Sequence, residues 1–298
     1  MAGKSAPLSQ TQLGIYFDCL NMQDASAYNV HRILTLGSSI DLNRFAAAIE
    51  KAVAAHPSMF VRVVEQNGEP LQQYDAESYH QTVEQMTEDA WQKKLPELVA
   101  EPLELHGGRL FRFYLVQTEK AKYFLAVTHH VLFDGVSRRS LYDDIAKAYA
   151  DLDAKLAPES YDALDVANDE TKARSSEKFS QAKAWYEKTF GGIDIEALPI
   201  PDRDDEKISF DKFEKVFPLD YSTLRNFCKT NKISASALTS TAFALLLGTY
   251  THQQESLFST IYHGRNERTK ILSACSLKLC RFIVVGRAIK KLSNFSLK

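Results

Sequence analysis

The sequence has little that would mark a secreted, membrane-spanning or metal-binding protein. Its four cysteines are Cys19, Cys228, Cys275 and Cys280, and only the last two lie near each other. Because disulfide frameworks and metal sites need several suitably spaced ligands, this scatter predicts reduced thiols. No run approaches the ~18 apolar residues of a membrane span, and residues 1–7 carry no apolar signal core. We therefore expect a cytoplasmic protein without a membrane segment.

An excess of charge of one sign is also absent. The formal net charge is −2 over 298 residues, and the isoelectric point is about 6.5. Domains that bind nucleic acid are usually basic, so this balance argues against a nucleic-acid partner. With 45% hydrophobic residues, the chain has enough apolar side chains for one large domain or two smaller ones.

The hydrophobic pattern indicates a mixture of helices and hairpins. Leu42, Phe45 and Ile49 recur at helical spacing. Two apolar runs at 110–116 and 123–127 flank a short polar turn, which predicts a β-hairpin. Strands therefore occur in hairpins as well as in alternation with helices. We expect an α/β fold, in the form of an α+β sandwich rather than a purely doubly wound sheet.

One short stretch carries most of the chemistry. Residues 129–135 read His-His-Val-Leu-Phe-Asp-Gly, and they lie between the apolar run at 123–127 and a helical pattern at 137–145. The two histidines stand where a strand ends and a loop leads into a helix, a position that often carries function. A neutral imidazole takes up a proton near pH 7. Gly135 is predicted to let the backbone turn tightly beside Asp134.

This stretch resembles the HHxxxDG motif of the condensation domains of non-ribosomal peptide synthetases. Other segments resemble further motifs of that family at the expected places along the chain, namely 9–12, 55–60, 102–112 and 264–265. Three positions depart from the family's usual residues, namely Thr11, Ala55 and Phe60. The match covers roughly residues 7–271.

The resemblance implies a fold like that of chloramphenicol acetyltransferase, in which two similar lobes enclose a tunnel. Residues 1–155 would be a complete N-terminal lobe with the motif, and the polar segment 156–176 a linker or crossover. Residues 177–271 would be a partial C-terminal lobe. The family's pattern is lost in residues 272–298, so we expect a tail that departs from the family and a truncated chain.

The activity implied by the resemblance is formation of an amide (peptide) bond. An acyl or peptidyl thioester is the donor and an aminoacyl thioester the acceptor, both carried on phosphopantetheine. The expected partners are therefore peptidyl or acyl carrier proteins and adjacent synthetase modules. The chain itself is expected to bind no cofactor and no metal.

The match also implies a role for each residue of the motif. His130 would be the catalytic histidine, either as a general base or as a group that orients the amine and stabilises the tetrahedral intermediate. We expect His129 to pack beside the site and Asp134 to hold the loop, with acid–base work by Asp134 as the alternative. Arg265 would be the ion-pair partner of Asp134 across the lobes. A backbone N–H near Gly135 is a candidate donor to an oxyanion.

Other functions stay open on these residues. A related HxxxDG acyltransferase would acylate an alcohol or an amine, and an epimerising relative shares the motif, although Gly135 favours condensation. An inactive fragment that only docks a carrier protein is the alternative from another class, because a tunnel between two lobes needs both lobes.

Overall fold

The structure is a computed structural model of the chain. It describes residues 3–22, 26–75, 77–191, 214–216, 218–253, 255–262, 265 and 278–285. The chain divides into two compact units. The first comprises Met1–Trp185 and His263–Lys278, and the second comprises Tyr186–Tyr262 and Leu279–Lys298.

The described part of the first unit contains two sheets and their covering helices. Its strands are β1 (Ser5–Pro7), β2 (Asn29–Leu36), β3 (Val61–Gln66), β4 (Glu69–Tyr74), β5 (Val83–Gln85), β6 (Phe111–Gln117) and β7 (Lys122–His129). Its helices are α1 (Gln10–Asn21), α2 (Leu42–Ala55), α3 (Glu88–Ala100), α4 (Gly135–Ala150) and α5 (Ala163–Arg174), with a 3₁₀ helix at Pro57–Phe60. The helix α6 (Glu177–Phe190) follows.

The smaller sheet has the strand order β1-β4-β3 and is antiparallel throughout. The larger sheet has the order β2-β7-β6-β5, in which only β5 runs parallel to its neighbour. The strands β6 and β7 form the predicted hairpin. The helix predicted from the spacing of Leu42, Phe45 and Ile49 is α2. The expected mixed α/β fold is therefore confirmed.

The larger sheet is covered on both faces, and β7 lies at its centre. Phe124 and Ala126 belong to the main core, which α2 and α4 complete. Leu125 and Val127 belong to a second cluster with Trp91 of α3. Since side chains alternate between the two faces of a strand, a strand buried on both faces reads as a continuous apolar run. This burial makes the end of β7 a rigid support.

The segment 156–176 differs from the expected linker. It contains α5, whose first turn is held by a capping box between Asp162 and Asp165. The buried residues of this helix are Ala163, Leu164 and Ala167. Three small or medium side chains make a weak apolar stripe, which explains why the segment looked like a loop in the sequence. The first unit continues through it to Trp185; the lobe boundaries given above stay predictions.

The second unit contains α7 (Tyr221–Thr230), α8 (Ala235–Thr251), β8 (Glu255–Tyr262) and, apart from its first residue, β9 (Lys278–Val285). The strands β8 and β9 pair with each other. The side chain of Ser256 donates a hydrogen bond to the carbonyl of Ala244 at 2.8 Å, which attaches β8 to α8. The strand β9 lies in the segment 272–298 that was expected to be a divergent tail. Most of that segment lies outside the described residues.

No single helix in the described ranges has the length and apolar composition to cross a membrane. The helices α7 and α8 pass that test only as a pair, and they meet at an angle of 97°.

Gln72 connects several elements of the first unit. This side chain of β4 is fully buried. Its Nε2 donates hydrogen bonds to the carbonyls of Pro7 (3.0 Å) and Ala163 (3.1 Å). Its Oε1 accepts a hydrogen bond from Nε2 of Gln12 at 3.2 Å. One amide therefore joins β4 to β1, α1 and α5.

The substitution Gln72→Met nearly preserves the volume but removes these hydrogen bonds. We expect its free energy of unfolding to fall by about 2 to 3 kcal/mol, because buried polar groups of three neighbours lose their partner. Gln73→Met is the matched control, since this adjacent side chain is only half-buried, and it should change stability by less than about 0.5 kcal/mol. Urea denaturation measures both. Equal losses in the two variants would contradict this role of Gln72.

Candidate active site

The two histidines of the motif lie at the junction of β7 and α4. His129 is the last residue of β7 and pairs with Asn29 of β2. His130 begins the turn that follows. Residues 131–133 are about 1% exposed and anchor this turn in the core. The arrangement of strand, loop and helix that the sequence predicted is therefore present.

His130 has a fixed backbone and a partly accessible side chain. Its N–H donates a hydrogen bond to the carbonyl of Tyr28 at 2.8 Å. The ring of Tyr28 meets the His130 ring edge to face, with 6.4 Å between the ring centroids and 68° between the planes. The half-buried imidazole is thus the one of the two histidine rings that solvent or a ligand can reach more easily.

His129 is buried and neutral. It is 1% exposed, and burial, followed by the charge of the neighbouring His130, lowers its pKa to about 4. Its Nδ1 lies 3.1 Å from the N–H of Val131 and accepts that hydrogen bond. The ring proton must therefore be on Nε2, which lies 3.8 Å from Sγ of Cys19. Both ring nitrogens are engaged in contacts with the protein.

Asp134 holds the beginning of α4 as its N-cap residue. Its side chain is fully buried. One carboxylate oxygen, Oδ1, accepts hydrogen bonds from the N–H groups of Val136 (3.0 Å) and Ser137 (2.8 Å) and from the hydroxyl of Ser137 (2.9 Å). The negative charge also lies at the positive end of the helix dipole, which stabilises it there.

Arg265 is the charged partner of this carboxylate. Its Nη2 lies 2.7 Å from Oδ1 of Asp134 and 2.8 Å from the hydroxyl of Ser137. The arginine side chain is 5% exposed. Arg265 was expected to be the ion-pair partner of Asp134, and the two side chains are in contact within the first compact unit. That this pair crosses between two lobes stays a prediction.

Gly135 does not make the expected tight turn. It is the first residue of α4, and its φ lies outside the left-handed region. A Cβ atom built on it would meet no atom within 4 Å. Across the described part of the chain, its N–H finds no acceptor, whereas the next two N–H groups donate to Asp134. The glycine leaves open space and a backbone donor at the first turn of α4.

Sequence reasoning did not assign Tyr28, Cys19 or Ser137 to this site. The contact of the Ser137 hydroxyl with Asp134 could have been predicted, because a serine three residues after an N-cap aspartate can reach the carboxylate of that aspartate. The other two residues come to the site through the pairing of β2 with β7 and the packing of α1. No local signal in the sequence fixes that long-range pairing.

Metal-binding residues do not gather at the motif. Among the residues that the structure describes, no group of three or more His, Cys, Asp or Glu side chains could hold a metal ion.

The buried Asp134–Arg265 pair should contribute measurably to the stability of the fold. Replacing Arg265 with methionine leaves a buried carboxylate without its charged partner, so we expect the free energy of unfolding to fall by about 3 kcal/mol. Arg225→Met, on an exposed position of α7, is the matched control and should change it by less than about 0.5 kcal/mol. Urea denaturation compares them. The prediction fails if the two variants are equally stable.

The buried His129 should make the stability of the fold depend on pH. Its pKa falls from the ordinary 6.5 to about 4 on folding, so the unfolded chain binds this proton more readily. The stability linked to this proton is complete above pH 6.5 and is lost as the pH falls toward 4, by about 2 to 3 kcal/mol at pH 4.5. His129→Asn keeps an acceptor for the N–H of Val131 but does not titrate.

The free energy of unfolding of His129→Asn should therefore fall less steeply between pH 6.5 and 4.5 than that of the wild type. Urea denaturation at a series of pH values gives both slopes. Identical slopes would show that His129 is not buried as a neutral ring.

The family assignment follows from comparison with known proteins. The Condensation domain family model matches residues 3–275. Tyrocidine synthase 3 of Brevibacillus parabrevis is 30% identical over 248 residues, which is 80% of this chain and 4% of that protein. Polyketide synthase PksN of Bacillus subtilis (strain 168) is 25% identical over 276 residues, which is 88% of this chain and 5% of that protein. The chain spans only a small part of these relatives.

Solved structures agree on the fold. The condensation domain from Monacolin K polyketide synthase MokA matches with a TM-score of 0.80 and 14% identity, over 95% of this chain and 68% of that one. The epimerization domain from the third module of tyrocidine synthetase B matches with a TM-score of 0.79 and 17% identity, over 98% and 72%. Together with the family match and the His-His motif at the β7–α4 junction, these findings show that the chain belongs to the condensation domain family of peptide and polyketide synthetases.

Proposed function

We propose that this chain catalyses formation of an amide bond between a thioester donor and an aminoacyl acceptor. The observation that carries the proposal is the pairing of two groups at the β7–α4 junction. His130 offers a partly accessible imidazole in the turn directly after the buried strand β7. Gly135 offers a backbone N–H that no described residue uses, beside open space.

The chemistry needs a proton transfer and a stabilised negative charge. The amine nitrogen of the acceptor attacks the thioester carbonyl, a carbon–nitrogen bond forms, and the carbon–sulfur bond breaks. The proton lost by the amine passes to the departing thiolate. His130 either carries this proton or orients the amine, and the N–H of Gly135 stabilises the oxyanion.

The other motif residues support this site without taking part in proton transfer. Both ring nitrogens of His129 contact protein atoms, and a pKa of about 4 keeps this ring neutral near pH 7. Asp134 is fully buried and binds backbone, hydroxyl and guanidinium donors at once. We assign His129 and Asp134 to holding the geometry, together with Arg265.

The substrates would arrive on phosphopantetheine arms of acyl or peptidyl carrier proteins, from adjacent modules of a cytoplasmic synthetase. This part of the proposal rests on the relatives, which are peptide and polyketide synthases of much greater length. The chain would contribute the site and no cofactor of its own.

A second candidate is docking of a carrier protein without catalysis. The described part of the second unit exposes large apolar side chains on α8, including Tyr250 (63%), Leu246 (54%) and Phe243 (50%). These three side chains are spaced three and four residues apart, which places them on one face of the helix, and exposed apolar faces often mark an interface. In that case the residues of the motif would be present but would catalyse no reaction.

The assay uses carrier proteins loaded through phosphopantetheine with a panel of acyl and aminoacyl groups, with mass spectrometry of the products. We expect His130→Ala to lower the rate of amide formation about 10²- to 10⁴-fold, because it removes the group that handles the amine proton. His31→Ala is the matched control, since His31 lies exposed on β2 of the same sheet, and it should keep the wild-type rate.

Equal rates in the wild type and His130→Ala would refute the catalytic role. Binding of loaded carriers without any product would favour docking. An ester formed from an added alcohol acceptor, in place of an amide, would favour the related acyltransferase.

A further inference from the structure

Tyr28 contacts the motif through both its backbone and its ring. It lies directly before β2, and its carbonyl accepts the N–H of His130 at 2.8 Å. Its ring centroid lies 6.3 Å from that of His129 and 6.4 Å from that of His130. A single aromatic side chain therefore lies against both histidines of the motif.

The Tyr28 ring is itself held by α1. Its phenol O–H donates a hydrogen bond to Oδ2 of Asp18 at 2.8 Å. The next residue of α1, Cys19, carries the sulfur that contacts Nε2 of His129. The last turns of this helix thus reach both histidines, one directly and the other through Tyr28.

The phenol stays a hydrogen-bond donor over the whole working pH range. Burial, and then the hydrogen bond and charge of Asp18, raise the pKa of Tyr28 to about 12. The ring therefore remains neutral and keeps its bond to the carboxylate. A neutral ring with a fixed oxygen suits orientation better than proton transfer.

We propose that Tyr28 is a positioning residue for His130 and that Asp18 anchors its ring. The proposal rests on the catalytic role proposed for His130 and names how that side chain is oriented. Because the O–H of Tyr28 points to Asp18, the residue acts through the ring of His130 and not on the substrate.

The kinetic test separates the ring from its anchor. Tyr28→Phe keeps the aromatic ring and loses the bond to Asp18, and Asp18→Ala loses the same bond from the other side. We expect each to lower kcat about tenfold with little change in KM, because the histidine is misaligned while substrate binding is kept. Asp18→Asn keeps an acceptor oxygen and should retain a near wild-type kcat. Tyr221→Phe, an exposed tyrosine of α7, is the matched control.

The structural test does not depend on turnover. In protein labelled with ¹⁵N and ¹³C at histidine, Tyr28→Phe and Asp18→Ala should shift or split the ring signals of His130, whereas Asp18→Asn and Tyr221→Phe should leave them unchanged. His130 ring signals that superimpose in all five proteins, wild type included, would overturn the proposal. If His130→Ala is impaired, an unchanged kcat in Tyr28→Phe would also overturn it.

The two proposals fail in different ways. If His130→Ala is as active as the wild type while the ring signals move in Tyr28→Phe, the catalytic role fails and the orientation of His130 by Tyr28 stands. If His130 is essential and its ring signals do not respond to Tyr28→Phe, the positioning role fails alone.

Discussion

The site depends on one buried carboxylate. A charge in the interior is costly unless it is paired and hydrogen-bonded, and Asp134 meets both conditions through a single oxygen. That oxygen binds two N–H groups of the first turn of α4, a hydroxyl, and the guanidinium of Arg265. Because these donors come from Val136, Ser137 and Arg265, one oxygen holds both the first turn of α4 and the side chain of Arg265.

This constraint decides which groups remain for chemistry. The carboxylate occupies the N–H groups of Val136 and Ser137 and leaves that of Gly135, the first amide of the helix. His129 is likewise occupied, since Val131 and Cys19 contact its two ring nitrogens. At the described part of the junction, the His130 ring is the more accessible of the two histidine rings, and the N–H of Gly135 finds no acceptor. Under the proposed function these are the two groups that act on the thioester.

The sequence predicted the features that depend on neighbouring residues. The hairpin of β6 and β7, the helix α2 and the position of the motif between strand and helix all follow local patterns of spacing. Other features depend on contacts between distant residues, and these were missed. The helix α5 is buried through three modest side chains, and Tyr28 reaches His130 only because β2 pairs with β7. The glycine at 135 suggested a tight turn. In the structure Gly135 instead begins α4 outside the left-handed region, and open space lies beside it.

The most direct test of the proposed site is to map which residues a thioester substrate contacts. The amide signals of the backbone can be followed by NMR while a carrier protein is added that bears a non-hydrolysable amide analogue of an acyl phosphopantetheine thioester. If His130 and Gly135 form the site, the largest shifts occur at these two residues, with little change at the exposed His31 of β2. Shifts confined to the second unit, with Gly135 and His130 unchanged, would contradict it.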